Sequence, residues 1–226
     1  MYKITSHASL KKWEHPEIPS LPLRGLLVGP SGTGKSCILS SMLNFAPYKK
    51  AWKNNVFCFS PTMREDPEYK HLNIPDYRIM DHYDQEIITE LYEEQKEAKK
   101  YLKKGKELTH ICIVLDNLIT DLPTNQRSLL SKLFCTGRHL NISILIASQS
   151  YKLCARTIRM NLTCLIVLHC NQGEVQKISQ ESAASNFEEL HDICTSVPYG
   201  FIVEIVNQPL EKRFRNKFTL EYLNAK

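Results

Sequence analysis

The feature that most constrains this chain is the stretch GPSGTGKS at residues 29–36. It matches the phosphate-binding loop (Walker A) pattern G-x-x-x-x-G-K-[ST] at every fixed position. A short apolar run at 26–28 precedes the loop, and residues 36–45 (SCILSSMLNF) follow it with helical spacing and stop before Pro47. Strand, glycine loop and helix are the setting that the motif requires. The sequence therefore predicts a nucleoside triphosphate site, the alternative being an ordinary glycine turn.

The residue types in the loop explain what it would bind. Glycines let backbone N–H groups approach phosphate oxygens without a Cβ in the way, and the start of the following helix adds its positive end. We expect Lys35 to reach the β- and γ-phosphates of ATP and the Ser36 hydroxyl to help hold a Mg²⁺ ion. The predicted nucleotide-contacting residues are Gly29, Pro30, Ser31, Gly32, Thr33, Gly34, Lys35, Ser36 and Cys37.

Composition narrows the class of protein. The 226 residues, 42% hydrophobic and 23% charged, are ordinary for a globular protein, and no apolar run approaches the roughly 18 residues of a membrane span. The first residues lack the apolar core of a secretory signal, so we expect an intracellular protein. Eight cysteines without a C-x-x-C pair favour reduced, buried thiols over disulfides or zinc. The net charge of +5 permits contact with a polyanion without requiring it.

Apolar runs and helical segments alternate along the chain. Residues 1–22 are polar and contain three prolines, which indicates an extended lead-in, and 23–226 would form a single domain. The predicted strands lie at 56–60, 111–115, 142–147, 165–169 and 201–206, and the predicted later helices at 84–106, 125–135 and 174–189. Continuous apolar strands that alternate with helices predict an α/β fold with a mostly parallel sheet and helices on both faces.

Polar residues at the ends of two predicted strands complete a candidate site. Asp116 ends the run at 111–115, and an acidic residue at the carboxyl end of a buried strand is where a phosphate-loop enzyme would hold Mg²⁺. Gln149 follows the run at 142–147, so it would emerge at the same edge of a parallel sheet. There it could sense the γ-phosphate or orient a water, or it could simply be a polar residue that ends a strand.

Arg138 lies at a junction between a predicted helix and the strand that leads to Gln149. An arginine at such a position can reach across a subunit interface and stabilise negative charge that builds on a γ-phosphate. It can equally cap the carboxyl end of a helix at the surface. Spacing alone leaves both interpretations open.

Two basic sets could track DNA phosphates without reading sequence. They are Lys152, Arg156 and Arg159 in the first set and Arg213, Arg215 and Lys217 in the second. The second set alternates along the chain. It could therefore equally be the solvated face of an edge strand, where charges block aggregation.

Three blocks in order, GPSGTGKS, ICIVLDN and CTGRHLNISILIASQSY, resemble the poxvirus-type DNA-packaging ATPases of the FtsK/HerA superfamily. Other large DNA viruses, virophages and Polinton-type transposons also encode such enzymes, and the resemblance covers roughly residues 22–170. It implies a RecA-like P-loop core that assembles into a homo-oligomeric ring, a pentamer or hexamer. The ring would use ATP to pull double-stranded DNA into a capsid of viral proteins. This would take place at the virus assembly site in the host cell. The resemblance also implies that Lys35 and Ser36 bind the nucleotide, Asp116 holds Mg²⁺, Gln149 is the sensor and Arg138 is a trans-acting finger.

One position departs from the family's pattern. These enzymes usually place a second acidic residue after the Mg²⁺ aspartate, and here that residue is Asn117. An amide does not accept a proton as a general base. Asn117 could position the attacking water, Asp121 could substitute as the acid, or hydrolysis could be slow. We favour positioning, because phosphoryl transfer depends mainly on alignment and electrostatics.

Two other functions fit parts of the sequence. A small-molecule kinase would share the phosphate loop but would need a cluster of lid arginines and an acceptor pocket, of which the sequence gives no clear sign. An ATP-gated assembly factor with weak hydrolysis would account for Asn117. DNA-stimulated ATP hydrolysis favours the packaging motor, phosphate transfer to a nucleoside favours the kinase, and binding without turnover favours the assembly factor.

Overall fold

Short runs rich in Val, Ile, Leu and Phe form one sheet. The structure is a computed structural model that describes residues 18–104, 106–118 and 124–226. Within them the sheet has eight strands: β1 (Arg24–Val28), β2 (Val56–Phe59), β3 (Ile79–Met80), β4 (Ile111–Asp116), β5 (Ile142–Ser148), β6 (Cys164–Leu168), β7 (Phe201–Ile205) and β8 (Phe214–Asn216). Every residue of β1, β2, β4, β5, β6 and β7 is buried, as expected of strands covered on both faces.

The order of the strands places the glycine loop at the middle of the sheet. The order is β3-β2-β4-β5-β1-β6-β7-β8. Strands β1 to β6 run parallel, whereas β7 is antiparallel to β6 and β8 is antiparallel to β7. The prediction of a mostly parallel sheet is confirmed. Residues that follow β1, β4 and β5 consequently emerge side by side at one edge of the sheet.

Helices cover both faces of the sheet, as predicted. They are α1 (Lys35–Asn44), α2 (Ala46–Trp52), α3 (Gln85–Lys100), α4 (Thr124–Thr136), α5 (Arg156–Arg159), α6 (Gln172–Glu181), α7 (Phe187–Thr195) and α8 (Leu210–Arg213), with 3₁₀ helices at Pro67–Leu72, Asp76–Arg78 and Gly137–Leu140. Helices α1 and α2 pack on the face that carries Leu27 and Leu145. Helices α3, α4, α6 and α7 pack on the face that carries Leu26 and Ile144. Adjacent residues of one strand thus enter opposite cores.

The helix expected at 84–106 is shorter than predicted. The Asp84 side chain accepts hydrogen bonds from the backbone N–H groups of Glu86 and Ile87, at 2.8 and 3.1 Å, and so caps α3. The helix ends at Lys100, about one turn after its last buried side chain. Beyond that point the lysine-rich sequence offers no apolar face to pack on the sheet.

One further helix prediction needs correction, and one helix was not predicted. The segment at 174–189 contains two helices, α6 and α7, because Ser182 takes extended backbone angles (φ −74°, ψ 155°) and ends α6. The sequence SAASN at 182–186 is rich in residues that favour turns over helix. The helix after the glycine loop does end before Pro47. Pro47 then lies in the first turn of α2, which was not predicted and where its missing N–H has no helical partner to lose.

Candidate functional site

The residues of GPSGTGKS form a tight loop between β1 and α1. Gly32 and Gly34 have φ of 78° and 100°, in the left-handed region that favours glycine. A Cβ on Gly29 would lie 2.7 Å from the Thr33 Oγ1 and 3.0 Å from the Leu168 Cβ, so a larger residue here would have to displace one of these side chains. Helix α1 begins at Lys35, which brings its free N–H groups and its positive end to the loop. The loop therefore has the form expected of an anion site.

The Lys35 side chain closes the loop. Its Nζ donates hydrogen bonds to the carbonyl oxygens of Gly29, at 2.7 Å, and Pro30, at 2.8 Å, and the residue is only 6% exposed. The Thr33 hydroxyl donates to the same Pro30 carbonyl at 2.8 Å. Burial lowers the pKa of Lys35, and the charge of Asp116 opposes that shift. An ammonium group is thus held against the loop backbone, within reach of a bound phosphate.

Asp116 ends β4 in a fully buried position. Its Oδ2 accepts a hydrogen bond from the Tyr69 hydroxyl at 3.1 Å, while its Oδ1 has no hydrogen-bond partner in the described part of the chain. Burial raises the pKa of Asp116, and the Tyr69 hydroxyl, the Lys35 charge and the Ser60 side chain oppose the rise. The Ser36 side chain also interacts with the Tyr69 hydroxyl. Asp116 and Ser36, the two residues expected to hold Mg²⁺, therefore both interact with the hydroxyl of Tyr69. No sequence motif indicated this tyrosine.

The oxygen atoms at this point suit Mg²⁺. A buried carboxylate oxygen without a partner is unfavourable unless a cation or a donor faces it. Mg²⁺ is usually bound by one or two protein groups together with phosphate and water oxygens. Over the described ranges, no group of three or more His, Cys, Asp or Glu side chains could hold a metal by itself. A cation held by Asp116 and Ser36 would therefore share its ligands with a bound nucleotide.

Gln149 and Asn117 lie at the same edge of the sheet as the loop. The Gly29 N–H donates to the Ser148 carbonyl oxygen at 3.2 Å, so Gln149, which is exposed, follows directly beside the loop. The Asn117 N–H donates to the Ala147 carbonyl oxygen at 3.2 Å, and its φ of 58° is one that Asn tolerates. Its side-chain Oδ1 is buried and has no partner among the residues described. The structure thus brings four predicted elements together: the loop, Asp116, Asn117 and Gln149.

A glutamate on α6 holds the segment that follows Gln149. The carboxylate of Glu174 accepts hydrogen bonds from the Ser150 hydroxyl at 2.7 Å and from the Tyr151 backbone N–H at 2.8 Å. At the other end of α6, Glu181 accepts from the Tyr151 hydroxyl at 3.0 Å. Sequence reasoning missed these contacts because they join residues 23 to 30 positions apart that no motif links. The two residues that follow Gln149, the candidate sensor, are therefore held in place by hydrogen bonds to α6.

Arg138 does not join the other predicted site residues. It lies in the 3₁₀ helix before β5, whereas Gln149 follows the carboxyl end of that strand. The seven residues of β5 span roughly 23 Å. Burial, followed by the charge of Arg138, lowers the pKa of Arg24 at the start of β1, which places both arginines at the amino edge of the sheet. Arg138 is exposed there and remote from the glycine loop of the same chain.

The two basic sets differ in their exposure. Lys152 and Arg156 are exposed, whereas Arg159 donates two hydrogen bonds to Glu181, at 2.8 and 2.9 Å, and its side chain is 9% exposed. Strand β8, which carries Arg215, is an edge strand, one of the two interpretations that the sequence left open for the second set. Arg215, however, in the middle of β8, is 2% exposed, so this set is not one solvated face. Neither Arg159 nor Arg215 is placed to contact DNA.

A cavity of about 530 Å³ adjoins the glycine loop. Its walls include Thr33, Gly34, Tyr199 and Phe218. The Tyr199 ring lies so close to the loop that a Cβ on Gly34 would be 3.3 Å from the Tyr199 Cδ1, yet Tyr199 is 71% exposed. Aromatic walls beside a phosphate loop suit a flat, partly apolar group that is joined to a phosphate.

The other sequence predictions concern the cysteines, Asp121, the lead-in at 1–22 and a membrane span. All eight cysteines are free, and six of them are buried, as expected of reduced thiols. Asp121, the possible substitute acid, and residues 1–17 of the predicted lead-in lie outside the described residues. Across those that are described, no helix is long and apolar enough to cross a membrane.

The fold is similar to those of solved viral and bacterial ATPases. The genome packaging NTPase B204 from Sulfolobus turreted icosahedral virus 2, in complex with ATP-gammaS, aligns with a TM-score of 0.58 over 85% of this chain and 94% of that chain, at 17% identity. The cytoplasmic domain of the type VII secretion ATPase EccC from Thermomonospora curvata aligns with a TM-score of 0.56 over 82% of this chain and 24% of that chain, at 16% identity. These likenesses show a P-loop NTPase fold.

Sequence comparison identifies the family. The DNA packaging protein OPG160 of Vaccinia virus (strain Copenhagen) is 25% identical over 156 residues, which are 68% of this chain and 55% of that protein. The Monkeypox virus protein of the same name is also 25% identical over 156 residues and is covered to 50%. The chain thus spans about half the length of these relatives. The Poxvirus A32 protein family itself matches residues 11–193. The chain belongs to the Poxvirus A32 protein family.

Proposed function

We propose that this chain is the ATPase of a motor that moves double-stranded DNA into a viral capsid, at the site of virus assembly in the host cell. The observation that carries the proposal is the meeting of the Lys35 loop, Asp116 and Gln149 at one edge of the sheet, in the arrangement of an ATP-hydrolysing site. The names of the relatives supply the substrate: the Vaccinia virus protein is a DNA packaging protein, and B204 is a genome packaging NTPase.

The loop residues bind the triphosphate. When ATP enters, the Lys35 ammonium exchanges its hydrogen bonds to the Gly29 and Pro30 carbonyls for contacts to the β- and γ-phosphates. The glycine N–H groups and the start of α1 surround the phosphate oxygens. Ser36 and Asp116 hold Mg²⁺, which supplies positive charge that neutralises the phosphates. The cavity beside Tyr199 receives the base and sugar.

Water activation in this site depends on positioning. The Asn117 Oδ1, buried without a partner in the described structure, is an acceptor that can orient an attacking water, and the exposed Gln149 follows the neighbouring strand at the same edge of the sheet. Neither amide takes up a proton at neutral pH. Rate acceleration therefore comes from alignment and from charge stabilisation, which dominate phosphoryl transfer.

Arg138 acts on a neighbouring subunit. Because it lies at the amino edge of the sheet, it meets a glycine loop only if subunits associate head to tail, with the amino edge of one subunit against the carboxyl edge of the next. Such contacts form a ring when the rotation from one subunit to the next closes, and a ring is the arrangement that a motor encircling DNA requires. Exposed Lys152 and Arg156, close along the chain to Gln149, are the basic residues best placed to follow DNA phosphates.

The test of this function is ATP hydrolysis with and without double-stranded DNA. The account predicts hydrolysis that DNA stimulates, that needs Mg²⁺, and that Lys35→Ala abolishes. Transfer of phosphate to a nucleoside in place of water would show a kinase. ATP binding without turnover, even with DNA and assembled rings, would show an assembly factor.

The subunit contribution of Arg138 is tested by mixing. Rings of Arg138→Ala alone or Lys35→Ala alone should be inactive. Mixed rings should recover part of the DNA-dependent activity, because some interfaces then combine an intact loop with an intact arginine. Absence of recovery at every ratio, with ring assembly verified, would contradict a role in trans.

A further inference from the structure

A tyrosine stands between the two residues that would hold Mg²⁺. Tyr69 is 5% exposed, and its hydroxyl donates to the Asp116 Oδ2 at 3.1 Å and interacts with the Ser36 side chain. The other oxygen of the carboxylate, Oδ1, is buried and has no hydrogen-bond partner among the described residues. The Tyr69 hydroxyl thus engages one carboxylate oxygen, the other has no partner within hydrogen-bond distance in the described part of the chain, and the Ser60 side chain also lies near enough to lower the pKa of the carboxyl.

The position of Tyr69 is fixed by its own helix and by α1. The 3₁₀ helix Pro67–Leu72 is capped by Asp66, whose carboxylate accepts a hydrogen bond from the Glu68 N–H at 3.0 Å. The Ser40 hydroxyl, on α1, donates to the Glu68 carbonyl oxygen at 2.7 Å. The phenol is therefore tied to the helix that begins at the loop lysine.

We propose that Tyr69 is a positioning residue for Asp116: its hydroxyl fixes the carboxylate so that Oδ1 faces the metal of a bound Mg²⁺–nucleotide. The proposal rests on the proposed function, because it assigns an outer-shell role at the same site. A carboxylate turns easily about its last torsion, and a hydrogen bond to Oδ2 removes that freedom. A neutral phenol does this without adding a charge that would compete with Asp116 for the cation.

Tyr69→Phe tests the proposal because it removes the hydroxyl and keeps the ring. The experiment measures the affinity of the full chain for a fluorescent ADP analogue, first in EDTA and then at rising Mg²⁺ concentrations. Mg²⁺ should increase the affinity for the analogue in both proteins. We expect the Mg²⁺ concentration that gives half of this increase to be about 10-fold to 100-fold higher in the variant, the usual effect of losing an outer-shell partner. Affinity in EDTA should not change, because the loop contacts of Lys35 are intact.

Tyr48→Phe is the matched control. The Tyr48 hydroxyl is also buried and donates to the Pro19 carbonyl oxygen at 2.6 Å, but it has no contact with Asp116. Its loss should affect stability and leave the Mg²⁺ dependence of nucleotide binding as in the wild type. A residue that acts only through packing would behave in the same way as this control.

An unchanged Mg²⁺ dependence in folded Tyr69→Phe protein would overturn the proposal. If that variant does not fold, Ser40→Ala takes its place, since it removes the hydrogen bond from α1 to the Glu68 carbonyl oxygen and should raise the Mg²⁺ requirement by a smaller factor. No rise in Ser40→Ala would then overturn the proposal. Failure of the wild-type chain to bind nucleotide in either condition would contradict the proposed function itself, a result distinguishable from either outcome for Tyr69.

Discussion

The Gly29 N–H donates a hydrogen bond to the Ser148 carbonyl oxygen at 3.2 Å, which joins the phosphate loop to the strand that ends beside Gln149. Two residues after Ser148, the Ser150 hydroxyl donates to Glu174 on α6 at 2.7 Å. A backbone hydrogen bond therefore links the phosphate loop to the segment that carries Gln149. A side chain of α6 holds the same segment in place. Changes on α6 should reach the reacting phosphate through this link.

Glu174→Gln should slow catalysis without weakening nucleotide binding. The amide has one acceptor oxygen in place of two and carries no charge, so both hydrogen bonds that hold the segment after Gln149 lose their charge assistance. We expect kcat to fall on the order of 10-fold, the scale of a small displacement of a catalytic group. Steady-state hydrolysis and equilibrium binding of ATP check this. Glu188→Gln, an exposed glutamate on α7, is the control, and equal kcat values in the two variants would contradict the role of Glu174.

Lys35→Ala should abolish tight ATP binding and leave the fold intact. Hydrogen bonds to charged groups contribute about 1.5–3 kcal/mol each, so losing the ammonium should weaken binding at least about 10-fold. Isothermal titration calorimetry with ATP-gammaS measures the loss. Lys49→Ala is a suitable control, because the Lys49 Nζ bonds only the exposed Asn44 side chain among the contacts described. Binding to Lys35→Ala at wild-type affinity would rule out the loop as the phosphate site.

Asn117→Gly tests how the site orients water. The φ of 58° at this position suits glycine, whereas alanine there would add strain of about 1–2 kcal/mol. The glycine variant thus removes the amide and leaves the backbone relaxed. We expect kcat to fall about 10-fold with unchanged affinity for ATP. If Asn117→Gly had no effect while Asn117→Asp raised turnover above wild type, the positioning role would be wrong and a missing base would be indicated.

Glu204 should make stability depend on pH. It is buried in β7, and burial raises the pKa of its carboxyl to about 7, against the opposing charge of Arg213 at 3.9 Å. An acid whose pKa is raised by folding loses its contribution to stability as pH rises from its unfolded pKa, about 4.5, to about 7. Glu204→Gln should therefore equal wild type below pH 4.5 and exceed it by about 3 kcal/mol at pH 8.

Urea unfolding across this range provides the measurement for Glu204. Glu211→Gln, an exposed glutamate on α8, should follow the wild-type pH profile throughout. Parallel profiles for wild type and Glu204→Gln would show that the carboxyl of Glu204 titrates normally in the folded protein.

The long strands were predictable because each is buried on both faces and contains at least three consecutive apolar residues. Strand β8 has no such run. Its residues Phe-Arg-Asn become a strand because Phe214 packs on Phe187, with ring centres 6.2 Å apart, and because β7 offers an open edge. Such a strand depends on residues distant in the sequence, which local periodicity does not register.

The residues of the candidate site also fall into two groups, those that a local sequence pattern indicates and those that it does not. The loop, Asp116 and Gln149 are marked by local patterns, since each follows a strand of a parallel sheet. Tyr69 and Glu174 are not marked, because their roles arise from contacts across 47 and 23 to 24 residues. The place of Arg138 follows from strand direction alone, since a residue that precedes a strand lies at the edge opposite to one that follows it.

The central claim is that the chain uses ATP to move along double-stranded DNA, and displacement of a labelled third strand from a DNA triplex tests it most directly. The account predicts displacement that requires ATP and Mg²⁺, is not supported by ATP-gammaS, and is lost in Lys35→Ala. Rings that hydrolyse ATP in response to DNA and yet leave the third strand in place would contradict it.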